Sequence, residues 1–169
     1  GGTAKSLTKH GIARRVDKTE GMDLLQQARD SNLVQFGENV QRRVNFICNC
    51  CGCCCEAMLA ARRFAVMNPV HTTNFIPEVA AETCNGCGKC VAAWPVEAMT
   101  LVSANDPHKP KRKTAKVEED RCLGCGVCVR VCGHEGVALK SRPERVLTPL
   151  NGVHRALLMA IERGTLQHL

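Results

Sequence analysis

The stretch CNGCGKCVAAWP, Cys84–Pro95, and its echo CLGCGVCVRVCG, Cys122–Gly133, decide how this chain is read. Each places three cysteines at Cys-x-x-Cys-x-x-Cys spacing with glycines between them, and the second adds a further cysteine, Cys132. The first has Trp94 at the corresponding position. Pro95 follows it, where the second copy has Gly133. Aligned on their first cysteines, the copies share C-x-G-C-G-x-C-V, then a short apolar helix-like turn, then a β-like run. They are a duplicated unit of about 19 residues, too short for a solenoid. Between them SANDPHKPKRKTAKVEED is polar and Pro-containing, a loop or hairpin tip carrying Lys109, Lys111, Arg112, Lys113 and Lys116.

Working outward, the 169 residues suit one domain or two small ones. The apolar fraction is 44 %, but thirteen of those residues are cysteines. Without them it falls to about 36 %, below an ordinary globular chain. Aromatics number one Trp, four Phe and no Tyr. A large interlocking core is therefore not expected, and bound metal or cross-links must help hold the fold. Disulfides are the weaker of these: the Cys count is odd, the spacing is dominated by Cys-x-x-Cys, and GGTAKSLTKHGIARR at the start has no apolar signal core. A cytoplasmic protein is expected. No apolar run approaches the roughly 18 residues of a membrane span.

Residues 1–18 are polar and basic and read as a loose leader. A helix is predicted from Thr19 through TEGMDLLQQARDSN, capped by Thr19 or Asp23, stopped near Asn32, with Met22, Leu25 and Ala28 on one face. Residues 44–47, VNFI, read as a short strand, and 56–68, EAMLAARRFAVMN, as a helix closed by Pro69. Residues 69–83 are a linker that becomes a strand. At the far end, Asn151 caps a last helix stopped by Gly164, with Val153, Leu157, Ala160 and Ile161 as an apolar stripe that packs on the chain's own core or on a neighbour.

The repeat over residues 76–142 resembles the bacterial two-cluster ferredoxin family, in which three close cysteines wrap one iron–sulfur cubane and the fourth ligates the partner cluster. The resemblance implies an α+β fold, a ferredoxin-like duplicated βαβ iron–sulfur domain, flanked by helical N- and C-terminal extensions. The domains expected are a helical region at 1–75 with a Cys-rich loop at 48–55, the dicluster domain at 76–142, and a linker and helix at 143–169. Cluster one, a [4Fe–4S] cluster, would take Cys84, Cys87, Cys90 and Cys132. Cluster two would take Cys122, Cys125 and Cys128, and its fourth ligand is missing at Trp94, because an indole offers iron only an N–H donor. That second site is then [3Fe–4S], or [4Fe–4S] with water, a carboxylate or a distant cysteine on the last iron, or labile. Zinc fits the triple Cys runs poorly, since zinc sites pair two Cys-x-x-Cys knuckles across a longer gap. His134 is a surface turn residue or a hydrogen-bond donor to a cluster.

One cysteine group lies outside the repeat. CNCCGCCC carries Cys48, Cys50, Cys51, Cys53, Cys54 and Cys55, between a strand and a helix N-terminus, whose free N–H groups favour thiolates. Gly52 permits the irregular loop that adjacent ligands would need. A third iron–sulfur cluster, a zinc site, redox-active thiols or a disulfide, ligation shared with another chain, and a ligand lent to cluster two are the alternatives. The run also resembles Cys-rich stretches ahead of ferredoxin-like domains in larger anaerobic iron–sulfur proteins.

The formal charge of +7 overstates the balance. Four thiolates on a cubane core leave each full site negative, and two such sites would bring the chain to about +3. With no aromatics interleaved in the basic loop, a nucleic-acid partner is not indicated. The five basic residues from Lys109 to Lys116 are either solvated or a docking patch for an acidic redox partner protein. Neither GxGxxG nor a P-loop motif occurs. The function expected is single-electron transfer, as a carrier or as a subunit or fragment of a larger oxidoreductase, and not as a catalytic unit on its own. The alternatives are a redox enzyme working at an incompletely ligated cluster or at the Cys-rich centre, and a redox or iron sensor.

Overall fold

The computed structural model describes residues 2–38, 40–63, 73–93, 95–143, 145, 147–162 and 164–165. It divides into two compact units. One comprises Gly1–Ala28, Gln35–Asn49 and Leu147–Leu169, and the other Arg29–Val34 and Cys50–Val146.

The first unit begins with α1, Gly2–Lys9. The stretch read as a loose leader is thus helical over its first part, though α1 buries no residue. Helix α2, Lys18–Asp30, is capped by Asp17, whose carboxylate accepts the Glu20 N–H at 2.9 Å, and not by Thr19 or Asp23. Asn32 ends it as expected, in the left-handed region at φ 56°, with its N–H on the Arg29 carbonyl. Of the predicted face only Ala28 is buried, and Met22 is exposed. Strand β1, Val34–Phe36, pairs with β2, Cys48–Cys50. The strand expected over 44–47 is irregular. The Glu38 carboxylate accepts both the Asn45 N–H and its side-chain amide, so that N–H is occupied by a side chain.

The second unit holds the cysteine repeat. Helix α3, Glu56–Arg63, buries Met58, and the rest of the helix expected to 68 lies outside the described residues. Then follow β3, Phe75–Val79, α4, Lys89–Ala92, and β4, Met99–Ser103. The order recurs in β5, Lys113–Val117, α5, Val127–Arg130, and β6, Val137–Ser141. The strands of one half pair with those of the other, all antiparallel. β3 runs against β6 with Ile76 opposite Lys140, and β4 against β5 with Leu101 opposite Ala115. Pro77 is tolerated in β3 because each ladder has only two strands, so every strand keeps a free edge. The architecture is mixed helix with small sheets, α+β.

Its core is small. Ile76, Val96, Ala98, Met99, Val127 and Val137 are buried with Cys90, Cys122 and Cys128, and no aromatic side chain is among the buried ones of the described residues. Thiols therefore occupy core positions that larger side chains fill elsewhere. The last helix, α6, Gly152–Glu162, belongs to the first unit. Asn151 caps it through the His154 N–H at 3.0 Å. Gly164, at φ 64°, donates to Ile161 while Thr165 donates to Ala160, closing a Schellman motif. Of the expected stripe only Ala160 is buried, and Val153 is 81 % exposed.

Two glycines show how tightly the halves interlock. Gly86 and Gly124 hold the same place in the two motifs, at φ 70° and 60°. A Cβ on Gly86 would stand 2.3 Å from the Lys113 carbonyl oxygen, at the start of β5. One on Gly124 would stand 2.3 Å from the Phe75 carbonyl oxygen, at the start of β3. Gly133, by contrast, has open space. Gly124→Ala should cost at least about 2 kcal/mol from strained φ and backbone collision, and Gly133→Ala close to nothing. Paired thermal melts of the two variants under anaerobic conditions check the difference.

Candidate metal centres

Each motif folds into a loop that ends in a single helical turn, α4 or α5. Cys84, Cys87, Cys90 and Cys132 line one open hollow of about 330 Å³, so the fourth cysteine of the second motif faces the first motif's three. Leu101, Ala115 and Val137 supply apolar wall. The Cys90 thiol is pushed up first by burial and further by the nearby Cys84 and Cys132. Burial would raise Cys84 too. The N–H of Ala115, the Thr114 hydroxyl, the Gly86 N–H and the Arg112 charge outweigh it and hold this thiol below its ordinary range.

Cys122, Cys125 and Cys128 form the second group. Burial raises all three thiols, and Cys128, with no exposed surface, is pushed up to about 12. Cys125 and Cys122 are the next causes at Cys128, which places the three in one another's field. The Gly124 N–H points at the Cys122 sulfur at 3.4 Å. The position that would complete this group is Trp94, which lies outside the described residues.

Among the described residues no three His, Cys, Asp or Glu side chains converge as one ion would require. Cysteines around a cubane each take a different iron and stand apart, and buried thiols that release their protons only to metal are what a thiolate-ligated cluster demands. Such a cluster supplies reversible one-electron chemistry.

Several neighbours of these sites were not legible beforehand. Asn85 accepts the Cys87 N–H at 3.1 Å and meets His134 Nε2 at 3.0 Å, so His134 is tied to the rim of the first hollow. Arg112 turns inward. It pairs with Asp106 at 3.2 Å and donates to the carbonyls of Ala81 and Cys84. Arg142, from the end of the other ladder, donates to the Cys122 carbonyl at 2.8 Å. Each motif's first cysteine is thus held through its carbonyl by an arginine. No signal in the sequence pairs these two, because they are not equivalent positions of the repeat. The basic loop therefore offers Lys109, Lys111 and Lys113 at its surface, with Lys116 beside Glu118 at 3.6 Å, and not Arg112.

In the cysteine run, Cys51 and Cys53 are joined in a disulfide, and the other eleven cysteines of the chain are in no disulfide. The Cys53 and Cys54 sulfurs are 3.7 Å apart. Cys55 sits at the N-terminus of α3, where the Met58 N–H above all holds its thiol below the ordinary range, with smaller help from Cys50 and the Ala57 N–H.

Residues 83–135 match the 4Fe-4S dicluster domain family, the segment that carries both groups of cysteines. No curated protein matches the chain. Among the described residues no helix is long and apolar enough to cross a membrane. In reduced, metal-free protein near pH 8, iodoacetamide should modify Cys55 and Cys84 well before Cys128, whose thiol stays protonated until far higher pH. Peptide mapping by mass spectrometry over a pH series gives the order.

Proposed function

We propose that this 4Fe-4S dicluster domain moves single electrons between two clusters, serving as a carrier or as an electron-transfer subunit or fragment of a larger oxidoreductase in a reducing, cytoplasmic setting. Its fold, in this reading, is the duplicated βαβ ferredoxin type. The observation that carries the proposal is that Cys132, of the second motif, lines one hollow with Cys84, Cys87 and Cys90. Cluster one takes those four thiolates as [4Fe–4S]. Cluster two takes Cys122, Cys125 and Cys128, as [3Fe–4S] or [4Fe–4S] according to what stands in for position 94.

The chain's own residues have definable parts. Backbone N–H groups of Gly86 and Ala115 hydrogen-bond sulfur at the first site, stabilise thiolate and so favour the more negative, reduced state. Leu101, Ala115 and Val137 give the first site apolar wall on the protein side. Lys109, Lys111 and Lys113 present positive charge on the β4–β5 loop for an acidic redox partner, and steer encounter more than they add affinity.

Anaerobically reconstituted protein should hold about eight irons, or about seven if cluster two is [3Fe–4S], with matching sulfide, and should bleach reversibly on reduction. Cys132→Ser should alter the EPR signal of cluster one while leaving cluster two, although Cys132 belongs to the second motif. Loss confined to cluster two would overturn the crossed assignment. Protein without iron or sulfide would overturn the function.

A further inference from the structure

The duplication leaves one position unfilled, and the fold brings a second cysteine source to it. Glu97 and Glu135 occupy the same place in the two copies and share the same left-handed backbone, φ 55° and 53°. The turn after position 94 is therefore built like the turn after Cys132. Since Cys132 reaches the first motif's cysteines, its counterpart at 94 is the place from which the second motif would be completed. Tryptophan cannot serve as an iron ligand there.

The tip of the cysteine run is packed onto this turn. Gly52 is buried, at φ 82°, and a Cβ on it would stand 2.7 Å from Pro95 Cβ, 2.8 Å from Pro95 O and 3.2 Å from Pro95 Cα. Pro95 is the residue directly after Trp94, and Cys51 and Cys53 are the residues on either side of Gly52. A further contact, an ion pair, binds the segment to the same turn. Arg62 of α3 forms an ion pair with Glu97, and Met58 and Val96 are almost fully buried. Only a glycine permits this approach, so the flanking cysteines stand one residue from a backbone contact with the turn that lacks its ligand.

We infer that Cys51 or Cys53 supplies the fourth thiolate of cluster two in place of position 94, so that the run completes the dicluster domain and builds no third centre. This rests on the two-cluster reading above. A small dithiol opens the Cys51–Cys53 bond: it gives two electrons and two protons, two thiols form, and the dithiol leaves as its own disulfide. The ligating thiol then gives up its proton to water as it binds iron. The second thiol of the pair stays free.

The test compares wild-type protein, Cys51→Ser/Cys53→Ser, and that double variant carrying Trp94→Cys, each reconstituted anaerobically with iron, sulfide and excess dithiol. Iron and sulfide content and EPR are the readouts. Wild type should hold about eight irons. The double variant should fall to about seven or fewer, with a changed cluster-two signal and an unchanged cluster-one signal, and Trp94→Cys should restore it. Unchanged iron and EPR in the double variant would sink the inference. So would loss of both clusters without rescue, which would mean that the run supports only the fold, and so would eleven or twelve irons in wild type. Wild type without any cluster would instead overturn the two-cluster reading itself.

Discussion

Each cysteine loop is pressed against a strand from the opposite half of the repeat, at a separation that admits no side chain. Gly86 meets the backbone of Lys113, and Gly124 meets the backbone of Phe75. That exchange ties each half to the other. The β3–β6 and β4–β5 ladders, the crossing of Cys132 to the first motif and the arginine contacts to the Cys84 and Cys122 carbonyls all require both halves at once. At the same two left-handed glycines the N–H meets the sulfur of its motif's first cysteine, Gly86 on Cys84 and Gly124 on Cys122.

The energetics follow from what the chain lacks. Among the described residues of the second unit no aromatic is buried, and its core consists of small aliphatics, Met58, Met99 and cysteines. A buried thiol is tolerable, whereas a buried thiolate is not, and burial accordingly raises Cys90, Cys122, Cys125 and Cys128. Metal resolves the conflict by taking the proton's place, so metal binding adds stability to such a site. Cys84 is the exception, held down by three hydrogen bonds and an arginine. The two ends of one cluster site thus differ in electrostatic character before any metal arrives.

The first unit contrasts with this. Its elements are held by caps and single polar contacts: Asp17 on α2, Asn151 on α6, and the Arg155 guanidinium on the Glu38 carbonyl at 2.6 Å. Apolar side chains such as Val153 and Leu147 remain exposed. Amphipathic spacing in α6 is real, but spacing alone does not bury a face.

Much of the candidate site was legible in the sequence. Cysteine spacing announces a cluster loop because ligand geometry is set by near neighbours in the chain. An indole offers iron only an N–H donor, so the expectation of an incomplete second site rests on the residue's chemistry alone. Local stops and caps at Asn32, Asn151 and Gly164 were readable for the same reason, since each acts within one helical turn. The strand expected at 44–47 failed where the Glu38 carboxylate took the Asn45 N–H, and the cap expected at Thr19 or Asp23 lies at Asp17, because the helix begins earlier. What only the tertiary structure decided are the contacts between residues distant in the chain: Arg112 turned inward, Arg142 on Cys122, His134 tied to Asn85, and Gly52 seated on Pro95. None leaves a periodic or spacing signal, because each depends on how two separate segments pack. Cysteine spacing within each short loop points to the sulfurs suited to iron, and the packing of distant segments sets what stands beside them.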